Sequence, residues 1–292
     1  MTYTITAYST ALFSTWINAE ELNLLFDAGD GLAAGLLQKA GKVKHVFISH
    51  ADRDHVTGLP QFIQLNAREG FPKIYYPKDS GSFPAMADFL KKFDPHVSGS
   101  EWLGIKDGSI VEIKKNIEVH AVRNEHIPCP LGVHKSLSFK VYEVRQKLKR
   151  EFQSLTGLEL KQLVEEKGKA FISREIRTNI LSYSGDTPTD AHEKWDQSEI
   201  LIHEATFLRR MTHSVSDPRE NKHSYLEEVL KMSKEIEVKK LILTHFSTRY
   251  SRQEIDNSTR KLIGELGIKF PVYLVYPGEI KRNILETQAI NE

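Results

Sequence analysis

Four side chains able to bind a metal ion, His50, Asp52, Asp54 and His55, fall within six positions of the segment HVFISHADRDHVTGLP. The segment opens on an apolar run of strand composition, and loops at strand C-termini commonly build sites. In an extended loop alternate residues point the same way, so His50 and Asp52 can share one cation. Asp54 and His55 lie at the turn into the next helix and can face a second cation. Imidazole nitrogen and carboxylate oxygen are the donors that divalent transition metals take when no thiolate is present. The single cysteine, Cys129, supplies neither a thiolate pair nor an internal disulfide. The bland alternative is a charged surface loop; four ligands packed this tightly behind an apolar strand argue against it.

One loop cannot complete two coordination shells, so further ligands are expected at other strand ends. Asp186 follows NILSYSG and His245 follows KLILT. Alone, the first reads as a turn former and the second as a local hydrogen-bonder; together, in this order, they read as ligands. Three histidines lie near the end of the strand IEVHAV. Of His120, His126 and His134, the first falls inside the strand pattern, and His126 sits just past it beside Pro128 and Pro130, which stiffen the loop. His126 is favoured over the other two.

YTITAYS, LFSTWI and LNLLF read as short strands ending at Asp27-Ala28-Gly29-Asp30-Gly31. LAAGLLQKA reads as a helix capped at Gly41. HVFIS is a strand, LPQFIQLNAREG a helix, KIYYP a strand and SFPAMADFLKKF a helix, followed by the β-rich stretches SIVEI, IEVHAV and SLSFKVYEV. Residues 145–177 are polar and charged, with Arg145, Lys147, Lys149 and Arg150 at the front and Leu158, Leu160, Leu163 and Val164 at near-helical spacing. They predict an inserted charged helical arm, the ordinary alternative being a solvated amphipathic helix. Beyond it, NILSYS, EILIHEA, KLILT and PVYLVYP alternate with the helices LEEVLKMSKEI and RQEIDNSTRKLIGEL. The expectation is one α/β domain over residues 1–292, two sheets sandwiched by helices, with an excursion at about 145–177.

Composition limits the partners. No apolar run approaches the roughly 20 residues needed to cross a bilayer, and the first residues lack the basic start and apolar stretch of a signal peptide. A cytoplasmic protein without a membrane partner is the expectation. A net charge of +1 gives no vote for nucleic acid, so any basic surface for RNA must be local.

SHADRDH, NEHIPCPLG, SGDT, LIHEATF, NKHSY and LTHFSTRY, in this order, resemble the metallo-β-lactamase superfamily, and within it most closely the ribonuclease Z branch, endonucleases that trim the 3′ ends of tRNA precursors. The resemblance implies an αββα four-layer sandwich of two mixed sheets flanked by helices. It implies two divalent metal ions per chain, zinc by kinship: His50 and His126 on one with Asp52 beside them, Asp54, His55 and His245 on the other, and Asp186 bridging. Glu204 of LIHEATF and His223 of NKHSY match a pair of non-ligand catalytic residues, while His203 and His213 are bystanders. It further implies precursor tRNA as substrate, attack by a metal-generated hydroxide that Asp54 orients, His223 protonating the leaving oxygen, and a homodimer. Independently, Ser224 and Glu227 have capping-box spacing, which sets His223 just before a helix N-terminus, an end that suits a phosphate.

Two departures qualify the resemblance. The superfamily usually has His where this chain has Asp52; a third carboxylate lowers the net charge of the centre and tilts preference from zinc toward manganese or iron. The arm that grips tRNA is glycine-rich in many relatives, whereas here Gly157 and Gly168 are its only glycines. The rivals are a hydrolase of the same fold acting on a small phosphodiester or another ester, a di-iron oxidoreductase (oxygen-reducing relatives carry an acid at the Asp52 position), and a binding module with a relic site.

Overall fold

The computed structural model describes residues 3–189, 192–209 and 222–292. A six-stranded sheet runs in chain order through β1 (Ile5–Thr10), β2 (Ser14–Ala19), β3 (Leu24–Phe26), β4 (His45–Phe47), β5 (Lys73–Pro77) and β6 (Glu101–Ile105). Its first three strands are antiparallel and β3 to β6 are parallel. A seven-stranded mixed sheet comprises β7 (Ile110–Lys114), β8 (Ile117–Arg123), β9 (Leu137–Leu148), β10 (Ser173–Tyr183), β11 (Ser198–Glu204), β12 (Val238–Thr244) and β13 (Val272–Leu274), ordered from β13 back to β7.

The two sheets pack face to face through alternating inward side chains, the period-2 pattern that the short apolar runs dictate. Phe26 sits at the centre of this layer, with ring centroids 5.0 Å from Tyr183 and 5.8 Å from Phe139. Burying each such ring stabilises by roughly 1.5–3 kcal/mol. The outer face of the first sheet (Leu25, Val46, Ile48, Ile74) is covered by α1 (Leu32–Leu36), α2 (Arg53–Val56), α3 (Leu59–Asn66) and α4 (Ser82–Phe93). The outer face of the second (Leu201, Leu241, Leu243) is covered by α7 (Leu226–Glu235) and α8 (Arg252–Leu266). This is the expected αββα order of layers. Among the described residues no helix is long and apolar enough to cross a membrane.

Several local expectations are corrected. The arm is not helical throughout: β9 and β10 extend into it as a two-stranded ribbon, pairing Arg145 with Ile176 and Leu148 with Ser173, and only the tip is helical, as α5 (Gly157–Lys167) and α6 (Lys169–Ile172). A ribbon needs its backbone ladder rather than an apolar face, so charged residues such as Arg145 and Arg174 sit on strands. Gly41 is not a C-cap, because α1 stops at Leu36, Leu37 takes a positive φ, and a 3-10 turn runs from Leu37 to Lys42. The Ser224–Glu227 capping box does not form: Tyr225 is the N-cap of α7, and the fully buried Ser224 hydroxyl donates to the Thr187 carbonyl instead. His223 nevertheless lies just before that helix. Strand β6, sequence EWLGI, escaped the sequence reading because Gly104 and partial exposure blur its alternation.

Candidate metal centre

Strands β8, β10, β11 and β12 point the same way in the second sheet, and their C-terminal ends meet the C-terminal end of β4 from the first. This is the edge where α/β sheets place ligands. His50, Asp52, Asp54 and His55 follow β4, His126 follows β8, Asp186 follows β10, Glu204 ends β11 and His245 follows β12. The connections there are tight. Gly185 and His245 both adopt positive φ, and a Cβ on Gly185 would come within 2.8 Å of the Ser49 Cβ. For His245 that conformation is unusual and marks a position held by its surroundings.

All seven predicted ligands converge. Donor atoms of Asp54, His55, Asp186 and His245 lie within 4.8 Å of one another, and so do those of His50, Asp52 and His126. Asp186 Oδ2 stands between the groups, 3.2 Å from His55 Nε2, 3.3 Å from His245 Nε2 and 3.8 Å from His50 Nε2. Asp54 Oδ2 lies 3.6 Å from His55 Nε2 and 3.5 Å from His245 Nε2; Asp52 Oδ2 lies 3.5 Å from His50 Nε2 and 3.6 Å from His126 Nε2.

The hydrogen bonds behind the rings fix which nitrogen faces the centre. Ser49 Oγ donates to Asp27, so His50 Nδ1 must donate to Ser49 Oγ, 2.9 Å away. His55 Nδ1 donates to Asp27 Oδ2 at 2.8 Å and His126 Nδ1 to the Lys222 carbonyl at 3.0 Å. Thr206 Oγ1 donates to Glu204, so His245 Nδ1 donates to Thr206 Oγ1 at 2.8 Å. In its neutral form every ring therefore turns an Nε2 lone pair inward, the arrangement that metal-binding histidines adopt. The Nε2 atoms of His50, His55 and His245 are buried without a hydrogen-bond partner. They approach the carboxylates without the alignment a hydrogen bond requires and face common points between them. Leaving three such atoms orphaned is expensive, and the donor set, four imidazoles and three carboxylates, fits divalent transition cations.

Charge supports the same fit. Burial disfavours a charged His55, but Asp186 and Asp27 outweigh it and hold the His55 pKa well above its ordinary value. Burial pushes Asp186 the other way, and His245, His55 and His50 overcome it, keeping the carboxyl ionised. Asp52 is held low by His126 and His50. The pocket thus selects for positive charge among ionised carboxylates, which a cation supplies.

Beside the centre, Glu204 Oε1 accepts from His223 Nδ1 at 3.0 Å, and the same nitrogen is 4.0 Å from Asp186 Oδ2. Burial lowers the His223 pKa, but Glu204 reverses this and carries it up to about 9. Glu204 itself is pushed up by burial and brought below its ordinary value by His223. Three other histidines lie elsewhere. His120 on β8 meets Glu118 on the same strand and Tyr142 on β9, the His134 backbone pairs with Asp79, and buried His203 turns Nδ1 to the Glu204 carbonyl. His213 lies outside the described residues.

Asp27 and Thr206 escaped the sequence reading. Asp27 is fully buried and accepts from Ser49, His55 and Tyr183. Its signal was an acid at the end of the apolar run LNLLF, the logic that picked out Asp186. Thr206 ties His245 to Glu204, and only the fold brings those two together.

The family profile described as beta-lactamase superfamily domain matches residues 22–246. Ribonuclease Z of Methanosarcina mazei is 30% identical over 270 residues, covering 84% of this chain and 86% of that protein. This chain belongs to the beta-lactamase superfamily, in its ribonuclease Z-like branch. It is accordingly a metal-dependent hydrolase. The chloroplastic tRNase Z TRZ2 of Arabidopsis thaliana is 26% identical over 278 residues, covering 91% of this chain and 74% of that protein. The short form of human tRNase Z has the same fold, with a TM-score of 0.57 at 19% identity over 95% of this chain and 98% of that one.

Proposed function

We propose that the chain is an endoribonuclease that removes 3′ extensions from tRNA precursors, leaving a 3′-hydroxyl and a 5′-phosphate. The observation that carries this reading is a pocket with two ligand groups sharing Asp186, flanked by a Glu204–His223 pair that belongs to neither. The relatives named ribonuclease Z direct the choice of substrate.

In this reading His50, Asp52 and His126 would hold one cation and Asp54, His55 and His245 a second, with Asp186 placed to serve either group. Bound there, divalent cations supply a water acidic enough to act as nucleophile near neutral pH and neutralise charge on the phosphoryl oxygens. Asp54 has its Oδ2 fixed by the Leu12 backbone N–H at 3.2 Å and orients what binds beside it. Glu204 holds His223 by Nδ1, which leaves Nε2 to hand a proton to the departing ribose oxygen. The Glu204 carboxylate raises the His223 pKa, which favours the protonated ring that such a transfer needs. Asp52 tilts the preference from zinc toward manganese or iron; the reading includes two cations per chain, one domain over 1–292 bearing the arm, and a homodimer in which one subunit's arm serves the other's pocket.

Metal-loaded protein incubated with a 3′-extended tRNA precursor is expected to cut once, behind the acceptor stem, with end-group analysis giving the stated products. Turnover of small phosphodiesters alone would favour the second reading, a hydrolase of small phosphodiesters, which the charged helical tip of the arm supports. Activation by zinc alone across a metal series would remove the proposed preference for harder ions.

A further inference from the structure

We propose that Leu12 and Phe13, at the tip of the β1–β2 hairpin, form an apolar lip to the metal centre, on which the base of a nucleotide flanking the scissile phosphate stacks. The inference rests on the phosphodiester reading above and deepens it.

Position comes first. The tip is pinned to the centre by backbone alone. The Ala11 N–H donates to the carbonyl of Phe246, the residue after His245, at 3.3 Å. The Leu12 N–H donates to Asp54 Oδ2, the oxygen that faces His55 and His245. The Phe13 N–H closes the turn on the Thr10 carbonyl at 3.0 Å. Moving the tip would release Asp54, so the lip and the ligand carboxylate are held as one unit.

The side chains are the unexplained part. Leu12 takes φ +70°, a region where Gly, Asn or Asp is the ordinary choice. A branched apolar residue there is strained, and burial does not offset it, because Leu12 is 80% exposed and Phe13 61% exposed. Among the described residues Phe13 stacks on no other ring, whereas the exposed Phe89 and Phe93 stack on each other at 5.4 Å. Isolated exposed apolar side chains are ordinary; two adjacent ones on a strained turn, hydrogen-bonded to a candidate metal ligand, are not.

Chemistry selects the occupant. The centre behind the lip is lined by imidazoles and carboxylates and suits the phosphate. A nucleotide held by its phosphate there must place its base outside, and every base presents a π face that an aromatic ring can accept whatever the sequence. Two side chains are far too small for a protein interface, which covers about 800 Å² per partner. The lip therefore acts on binding rather than on the bond-breaking step.

The test pairs protein and substrate changes. On a 3′-extended RNA, Phe13→Ala should raise KM about 5- to 100-fold, the scale of one lost base stack, with kcat nearly unchanged. Leu12→Ser should give a smaller rise, and Phe13→Trp should restore the wild-type KM. On the same RNA with an abasic nucleotide at the flanking position, wild type and Phe13→Ala should become equal. A second readout does not depend on cutting: 2-aminopurine at that position should be quenched on binding metal-loaded His223→Ala protein, and the quenching should vanish when Phe13→Leu is added. Equal KM for wild type and Phe13→Ala on the intact RNA, or the same loss on the abasic one, overturns the lip. Quenching that depends on Phe13 in a protein whose wild type cuts no RNA keeps the lip and removes the endonuclease reading; correct cutting indifferent to Phe13 does the reverse.

Discussion

In the pocket, four imidazoles commit Nδ1 to protein oxygens and turn Nε2 into a buried space shared with carboxylates. In the arm, α5 buries no residue, its N-terminus is closed by its own Thr156–Glu159 capping box, and its Lys161 pairs with Glu165 one turn on at 4.0 Å. One region holds polar groups that only a ligand can complete; the other is complete by itself and meets water. The difference separates a site from a surface on physical grounds, because orphaned buried polar atoms carry a free-energy penalty that exposed ones do not. It also grades the two ligand groups within the pocket. The Asp54 side chain is 11% exposed and backed by Leu12, whereas that of Asp52 is 59% exposed, so the group containing Asp52 is the more open to solvent and exchange.

The strongest challenge to this contrast is Asp186→Ala. It removes the one oxygen near His50, His55 and His245 together, so both groups should lose metal. Turnover on RNA and on a small phosphodiester should fall by about 10³-fold, the scale of deleting one preorganised electrostatic group. Elemental analysis beside the rate measurement decides it: full metal occupancy with full activity would show that the pocket is not a shared site. Excision of 146–176 with a short turn in its place asks the opposite of the arm. Metal content and small-phosphodiester turnover should stay within about twofold, since distant independent regions behave additively, while cleavage of structured RNA should be lost. An excised protein that still cuts precursor tRNA normally would leave the arm without the role given to it.

Next in size is His223→Ala, where turnover should drop about 10²- to 10⁴-fold, the usual worth of a general acid, with metal content intact. Loss of metal would move His223 into the ligand set. Asp27→Asn is subtler. Its two oxygens accept from the Ser49 N–H and hydroxyl, His55 and Tyr183 at once, and an amide, which must turn an NH2 toward one side of that donor set, cannot accept them all. Metal affinity should weaken about 10- to 100-fold, measured by competition with a coloured chelator, with little change in the saturated rate.

The sequence carried the pocket better than the arm. Candidate ligands such as Asp186 and His245 were readable because apolar strands ended at polar residues, and strand ends are where this architecture gathers side chains. Asp27 carried the same signature but sat among glycines that also explained it as a turn. Thr206 had no local signature, since its role depends on β11 and β12 lying side by side. Ahead of α5, α7 and α8 the S/T-x-x-E pattern occurs at Thr156, Ser224 and Ser251, and forms a capping box at the first and last only. Those two hydroxyls are solvent-facing and free to bond locally, whereas Ser224 is buried and taken by Thr187. Local rules held where the surroundings were water and failed where tertiary partners competed, which is also why the arm's ribbon went unseen: a ladder between residues 148 and 173 is a long-range fact.

The smallest effect tests whether burial alone makes a histidine a ligand. His45 lies on the strand that leads to His50 and is also buried, but its surroundings are Tyr75 stacked at 6.1 Å, Phe71 edge-on, and Lys73 and Lys44 nearby, with no carboxylate paired to it among the described residues. Burial first, and then those lysines, lower its pKa from 6.5 to about 4. The folded protein thus refuses a proton that the unfolded chain accepts. Stability from this residue is fully present above pH 6.5 and is lost as pH falls from there through about 4, a change of roughly 2–3 kcal/mol. Urea unfolding of wild type and His45→Gln across pH 7 to 4.5 isolates it, because the other titrating groups are common to both proteins. The wild type should lose stability faster toward acid, and the difference between the two should shrink or reverse with falling pH. A difference independent of pH would show that His45 is not held neutral, and that the contrast with His50 lies in something other than the company each ring keeps.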